Sequence, residues 1–331
     1  MLLTVTEVSN FPFAVSVRTA KSEELNQAIG LILGAGDHPA SDTQIGDFYR
    51  LTAQRCIDIS RVQAATVGEK IAWAVLPIAS PGRTLLILSP NSMFEAAQYG
   101  SAERLLRSVC DEYAGRCHLA QVLVDPGADA VRALYRRNGF RELAQLDYLH
   151  APTRRPKTPP ALPPDLEMAT YSPQTHPHFA QAIRESYEQS LDCPALNGLR
   201  EIEDVIQGHR AAGQVGGDGN FDPSLWRVLL ERQTGRPCGV LLLCRSDPGE
   251  AMELVYLGIS PAARRRGLAT CLLRHALATA AEDKRKRLTL AVDTGNAPAL
   301  QLYYRHGFQK VGAKIALIKV LDSANPPDFR G

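Results

Sequence analysis

The chain has 331 residues, 45% apolar and 22% charged, with Lys plus Arg at 37 against Asp plus Glu at 35. That length holds two domains of ordinary size, and the balance excludes a disordered, collagen-like or coiled-coil chain. The net charge of +2 argues against nucleic-acid and membrane-surface partners, and no stretch approaches the ~20 apolar residues that span a bilayer.

In chain order, the segment from Met1 to Val15 has no basic start and carries Glu7, unlike a secretory signal. Cys56, Cys110, Cys117, Cys193, Cys238, Cys244 and Cys271 are odd in number and form no C-x-x-C pair. This suggests neither a disulfide framework nor a zinc site, but reduced thiols in a cytoplasmic protein. Between His150 and Asp165 lie six prolines in sixteen residues, a semi-rigid extended spacer. The expected organisation is a domain over 1–150, a linker over 151–165, a second domain over 166–321 and a tail over 322–331.

The two halves repeat each other. Leu134-Tyr135-Arg136-Arg137-Asn138-Gly139-Phe140 matches Leu302-Tyr303-Tyr304-Arg305-His306-Gly307-Phe308 at an offset of 168. Gly100-Ser101-Ala102 with Leu105-Leu106 matches Gly267-Leu268-Ala269 with Leu272-Leu273 at 167, and Arg61-Val62 matches Arg227-Val228 at 166. An offset that holds across three segments reads as an internal duplication of whole domains.

The second half reads as follows. Leu166–Tyr171 is a strand, and Pro177–Ser190 and Ile202–Ala212 have helical spacing. Gln214–Asp222 is a Gly-rich loop. Trp226–Glu231 and Gly239–Arg245 form a hairpin around Gln233–Pro237, and Glu253–Ser260 is a third strand. Leu268–Ala281 is a helix and Leu288–Val292 a strand. Asn296 caps a helix with Pro298 in its first turn and Gly307 at its end. Gln309–Val320 closes the sheet. The order is that of an α+β layered fold, a mixed, mostly antiparallel sheet flanked by helices.

The chemistry concentrates in Arg264-Arg265-Arg266-Gly267-Leu268-Ala269, between a strand and a helix. The first amides of a helix lack internal acceptors and sit at the positive end of its dipole. With arginines they suit an anion such as a pyrophosphate. A solvated basic loop is the plainer reading of this segment alone. It is followed, after a helix and a strand, by Asn296-x-x-Ala299-x-x-Leu302-Tyr303-x-x-x-Gly307-Phe308. Together, in this order, the two segments resemble the GNAT (GCN5-related) N-acetyltransferase superfamily, over nearly all of Leu166 to Leu321. The first half resembles it more weakly, so the whole looks like a tandem GNAT protein with a degenerate N-terminal copy.

The resemblance implies an acetyl-coenzyme A-dependent transferase, an acyltransferase acting on a small-molecule or peptide amine by direct attack. It implies that Arg264, Arg265, Arg266, Gly267, Leu268 and Ala269 hold the pyrophosphate. Leu257, Gly258 and Ile259 would pair with the pantetheine arm on a splayed strand, where Gly258 suits a bulge or a close backbone approach. Asn296 would stand near the same arm. Tyr303 would protonate the departing thiolate, a sound match for a phenol of pKa ~10. Glu253 would be the base, acting through water; as a strand-end carboxylate it could also be merely solvated. Asp192 or Glu188 could take that role in another pose, within an acid-rich segment, Tyr187–His209, that would suit a cationic amine. Cys193 could be a nucleophile but has no evident histidine partner, and His176-Pro177-His178 reads as helix-start histidines. The alternatives are a non-catalytic acyl-coenzyme A sensing module and a nucleic-acid binder.

In the first half the anion device is mostly gone. Aligning Ser89-Pro90 with Ser260-Pro261 puts Gly82 opposite Glu253, Ala97 falls opposite Arg264, and Ala128 opposite Asn296. The expectation is a monomer with an internal pseudo-dimer, whose first half keeps the fold and has lost the cofactor.

Overall fold

A computed structural model describes residues 15–34, 38–92, 96–154, 161–211, 221–246 and 250–321. Most of the Gly-rich loop expected at 214–222, residues 93–95 of the first half's loop, residues 155–160 of the Pro-rich linker and the tail at 322–331 lie outside them. The first half runs β1 (Val15–Thr19), α1 (Leu25–Leu33), α2 (Asp42–Gln54), β2 (Gln63–Val67), β3 (Lys70–Ser80), β4 (Thr84–Leu88), α3 (Ala96–Tyr113), β5 (Leu119–Val124), α4 (Asp129–Arg137) and β6 (Arg141–Pro152). The second runs β7 (Leu166–Thr170), α5 (His176–Tyr187), α6 (Ile202–Ala211), β8 (Trp226–Glu231), β9 (Pro237–Ser246), β10 (Ala251–Ile259), α7 (Leu268–Glu282), β11 (Arg287–Asp293), α8 (Ala297–Arg305) and β12 (Gln309–Val320).

The strands join one 12-stranded sheet in the order β1-β2-β3-β4-β5-β12-β6-β11-β10-β9-β8-β7. Most neighbours are antiparallel; β4 with β5 and β10 with β11 are the parallel pairs among them. The middle of the order shows an exchange. Strand β6, which ends the first half, pairs with β11 from Arg287↔Pro152 to Asp293↔Leu146. Strand β12, which ends the second, pairs with β5 from Ile315↔Val124 to Val320↔Leu119. The two exchanged strands pair with each other between.

The cores follow the exchange. Under α3 and α4, Leu105, Leu106, Val109 and Tyr135 pack with Ile315, Leu317 and Leu321 from the far end of the chain. Under α7 and α8, Leu268, Leu272, Ala276 and Tyr303 pack with Leu149 and Ala151 of β6. On the opposite face, α1 and α2 cover one half of the sheet and α5 and α6 the other. Helices thus shield both faces of a sheet whose strands would otherwise expose apolar surface.

Local signals in the two repeats explain the elements that carry the site. Asn296 accepts the Ala299 N–H at 3.3 Å and starts α8; Ala128 starts α4 with no side-chain cap. Gly307 and Gly139 end these helices at φ of 82° and 83°, a left-handed geometry that glycine adopts without steric cost.

Candidate active site

Strands β10 and β11 pair over Ala251↔Arg287, Met252↔Leu288 and Glu253↔Thr289, and then part. Strand β10 continues on β9 to Ile259↔Gly239, six residues past its last partner on β11. From Leu254 on, the backbone groups aimed at the missing neighbour face a gap, as alternate residues of a strand direct their N–H and C=O to opposite edges. The gap opens into a cavity of about 590 Å³. Its walls are Leu254 to Ile259 of β10, Ala291 and Val292 of β11, the turn before α7, and Asn296, Leu302 and Tyr303 at α8. Of the residues singled out from sequence, Leu257, Gly258, Ile259, Arg264, Arg265, Gly267, Leu268, Ala269, Asn296, Tyr303 and Asp192 border it. Arg266, Glu188 and Glu253 do not. Ser186, Tyr256, Thr270 and Arg305 also border it, and no local spacing marked them.

Among the described residues the first half shows no such gap. Strand β4 pairs with β5 from Thr84↔Leu119 to Ile87↔Val122 and ends one residue later, at Leu88. This register sets Leu86, not Gly82, at the place of Glu253, correcting the alignment drawn through the Ser-Pro pairs. The stretch that lines the cavity in the second half has no counterpart there. Gly82 lies instead in the β3–β4 turn against α6, where an added Cβ would stand 2.3 Å from the Asp204 carbonyl.

The irregularity in β10 falls at Val255, between Leu254 and Tyr256, rather than at Gly258. A bulge turns two successive side chains to one face; Val255 and Tyr256 both pack toward α5 and α6. Gly258 serves the close approach: a Cβ there would meet the Ser186 Oγ at 2.5 Å. Ser186 in turn shares a 2.8 Å hydrogen bond with the Tyr256 hydroxyl.

The turn before α7 contains two left-handed residues, Arg265 at φ 66° and Gly267 at φ 77°. Such a reversal of backbone hand gathers successive N–H groups into an anion-binding concavity, and α7 adds its unpaired first amides. The three arginines divide their work. The Arg264 guanidinium donates to the carbonyls of Ile259 (3.2 Å), Ser186 (3.2 Å), Glu188 (2.7 Å) and Gln189 (3.2 Å). Arg264 thereby staples the turn to the end of α5. Arg266 points away, pairing with Asp165 at 2.6 Å and Glu231 at 3.4 Å. Arg265 lines the cavity and forms no ion pair among the described residues.

Tyr303 is buried, and burial with the nearby Asp192 charge pushes its phenol well above the ordinary value. It stays protonated and able to give a proton away. Glu253 lies on the α5/α6 face of β10, opposite its neighbours Met252 and Leu254. Burial raises its carboxyl despite the Arg55 charge. Tyr148 of β6 and Cys244 of β9 feel its charge, so the first half's exchanged strand walls this carboxylate. Asp192 is raised by burial and by the Asp293 charge. Asp293 accepts the N–H groups of Cys193 (3.0 Å) and Gly295 (2.8 Å). These carboxylates and the Cys193 thiol lie within 4.8 Å of one another. Burial and the two acids push that thiol up to about 12, which removes Cys193 as a thiolate nucleophile. Glu188 is exposed and contributes its carbonyl only. His176 bonds Tyr171 at 2.8 Å and Glu203 at 3.0 Å.

No helix among the described residues is long and apolar enough to cross a membrane. The profile of the Acetyltransferase (GNAT) family matches residues 198–308. A mycothiol acetyltransferase of Clavibacter michiganensis subsp. michiganensis is 27% identical over 308 residues, covering 90% of this chain and 94% of that protein. One of Clavibacter sepedonicus is 33% identical over 128 residues, covering 38% and 41%. Two solved structures share the fold. A GCN5-related N-acetyltransferase of Sphaerobacter thermophilus matches with a TM-score of 0.60 at 16% identity, over 94% of this chain and 97% of that one. A tandem GNAT protein from the clavulanic acid biosynthesis pathway matches at 0.50 with 12% identity, over 95% and 100%. The open strand pair, the glycine turn and the capped helix of Tyr303 all lie within residues 198–308, so it is the second half that carries a domain matching the GNAT family, the acetyl-coenzyme A-dependent N-acetyltransferases.

Proposed function

We propose that this chain moves an acetyl group from acetyl-coenzyme A to a primary amine by direct attack, in the cleft of its second half. The observation that carries this reading is the six-residue run of β10 beyond its last pair with β11, against one residue for β4 beyond β5. Bound acetyl-coenzyme A supplies the thioester. The free edge of β10 around Leu257 to Ile259 offers N–H groups to its pantetheine amides and carbonyl oxygen. The turn at Arg265–Ala269 and the first amides of α7 take the pyrophosphate.

The amine nitrogen forms the new bond to the carbonyl carbon while the carbon–sulfur bond breaks. The nitrogen's proton passes to a carboxylate, and Tyr303 gives its proton to the leaving sulfur. Glu253 acts through water, since it does not border the cavity. Asp192 does border it and stands near Tyr303, so it receives the ammonium before attack. The first half, residues 1–150, then acts as scaffold and wall, joined by the 151–165 linker to the working unit at 166–321, with 322–331 as a tail. The chain works as a monomer with an internal pseudo-dimer. Free cysteines fit a cytoplasmic setting. The relatives' name makes mycothiol chemistry one acceptor class to include in a screen.

Calorimetric titration with acetyl-coenzyme A tests the assignment. One site per chain is expected, weakened by Arg265→Glu. A second site of comparable affinity would put a working cleft in the first half, and no binding would remove the reading.

A further inference from the structure

Helix α8 turns one stripe of its surface to the cavity. At roughly 100° per residue, Leu302 and His306 lie near the middle of that stripe, Tyr303 on one edge, and Gln301 and Arg305 on the other. Burial orients the two edges. Tyr303 is 6% exposed and packs into the core, whereas Gln301 and Arg305 are exposed. The cavity thus runs across α8 from a buried inner end to a mouth at the surface, and an arginine stands at the mouth.

The Arg305 guanidinium borders the cavity and forms no hydrogen bond or ion pair among the described residues. Arg265, in the turn before α7, is exposed on the same cavity and equally without an ion pair among them. His306 is a weaker source of charge. Its Nδ1 lies 2.8 Å from the Leu302 carbonyl, which only accepts, so the proton of the neutral ring sits there and Nε2 is left as an acceptor. Arg305 supplies the permanent charge on this part of α8.

The internal duplicate gives a comparison. Arg137 holds the place of Arg305 in the repeated segment, and there the guanidinium lies over the Tyr99 ring, 5.8 Å from its centroid. The first half engages this arginine within the protein. The second leaves the same position at the mouth of the cleft.

With its thiol at Tyr303 and its pyrophosphate at the turn through Gly267, coenzyme A continues outward from the pyrophosphate into its nucleotide. That end carries a 3′-phosphate, a monoester with about 1.5 to 2 negative charges near neutral pH. We propose that Arg305 binds this 3′-phosphate, with Arg265 left to the pyrophosphate, and that the contact makes the cleft select coenzyme A over 3′-dephospho-coenzyme A. A planar guanidinium matches a phosphate with two parallel N–H donors, and an exposed side chain without a partner gives up no protein contact to do so. The inference rests on the acetyl-coenzyme A reading of the cleft and deepens it.

The test is calorimetric titration of acetyl-coenzyme A and of acetyl-3′-dephospho-coenzyme A into the full-length protein, wild type and Arg305→Gln. The wild type is expected to bind acetyl-coenzyme A about tenfold more tightly than the dephospho compound. In Arg305→Gln the two affinities converge, because only that for acetyl-coenzyme A falls, and Arg305→Lys restores part of the difference. Arg265→Gln weakens both ligands by a similar factor and keeps their ratio. Equal affinities in the wild type, or a ratio unmoved by Arg305→Gln, overturn the proposal. So does an equal loss of both ligands in Arg305→Gln, which marks a general loss of positive charge at the mouth. The melting temperature without ligand reports whether Arg305→Gln is folded. A second measurement needs no variant: adenosine 3′,5′-bisphosphate is expected to displace acetyl-coenzyme A at lower concentration than adenosine 5′-monophosphate, and equal potency also overturns the proposal. Equal binding of both thioesters removes the Arg305 contact and leaves the acetyl-coenzyme A reading, whereas binding of neither removes both. The expected ratio in a protein that acetylates no amine removes the transfer and leaves the contact.

Discussion

The division of labour between Arg264 and Arg265 can be read in a pair of substitutions. Arg264→Met keeps the aliphatic stem and deletes the fork that reaches four carbonyls at 2.7 to 3.2 Å. Hydrogen bonds to a charged donor contribute roughly 1.5–3 kcal/mol each when isolated. Four to one half-buried guanidinium are not additive, and water replaces some of them, so the set is worth about 2–4 kcal/mol. At about 2.1 cal/mol/K per residue, a chain of 331 residues shifts by roughly 1.4 °C per kcal/mol, so the melting temperature should fall by about 3–6 °C. The loosened segment, Gln189 to Asp192, walls the cleft, so the KM for the amine should rise as well. Arg265→Met removes a side chain that lines the cavity and holds no ion pair. It should melt like the wild type and bind acetyl-coenzyme A about tenfold more weakly, the loss of one charge-assisted phosphate contact. Thermal denaturation and acetyl-coenzyme A calorimetry on both variants decide the matter. If Arg264→Met melts normally but loses acetyl-coenzyme A, while Arg265→Met binds it normally, then Arg264 is the phosphate ligand and the staple is not its role.

Three further outcomes follow from the geometry. Tyr303→Phe should lower kcat by about 10²-fold, the usual size of a lost general acid, with acetyl-coenzyme A affinity retained; an unchanged kcat would remove Tyr303 from the proton path. Gly82→Ala sets a Cβ 2.3 Å from the Asp204 carbonyl and 2.8 Å from the Gly208 nitrogen, so the contact between the halves must shift and the melting temperature should drop, as it should not for Gly46→Ala, where the added atom meets nothing. His209 is buried neutral with its pKa down at about 3, whereas an unfolded histidine takes up its proton near 6.5. The unfolded chain therefore binds more protons below that value, and His209 costs stability progressively as pH falls from ~6.5 toward 3. His209→Gln should flatten the denaturant-midpoint profile across that window, and an unchanged slope would show that the imidazole takes up its proton in the folded protein.

What could be read along the chain and what could not divide by range. Asn296, Pro298 and Gly307 act within one helix, and their roles follow from helix-end chemistry alone. The turn through Gly267 likewise shows in its own residue types. The destination of Arg264 does not, because its partners, Ser186, Glu188 and Gln189, lie more than seventy positions away and nothing local distinguishes a guanidinium that binds carbonyls from one that awaits a phosphate. The bulge at Val255 escaped for a related reason: a register shift depends on the facing strand, and glycine at 258 answers a contact with α5. Glu253 was legible as a strand residue before the cleft, but its distance from the cavity depends on where β10 and β11 part.

The exchange of β6 and β12 has a consequence for how this molecule is made. The residues that complete the first half's core, Ile315, Leu317 and Leu321, are nearly the last of the described chain. During synthesis the first half must wait for them, with the edge of β5 bare and its apolar face open, until some two hundred further residues have left the ribosome. An unpaired strand edge is a template for another chain. The same edge on a neighbouring copy would accept the same strand, so high expression invites partner exchange between molecules, which the Pro-rich spacer counters by keeping the correct strand at high local concentration.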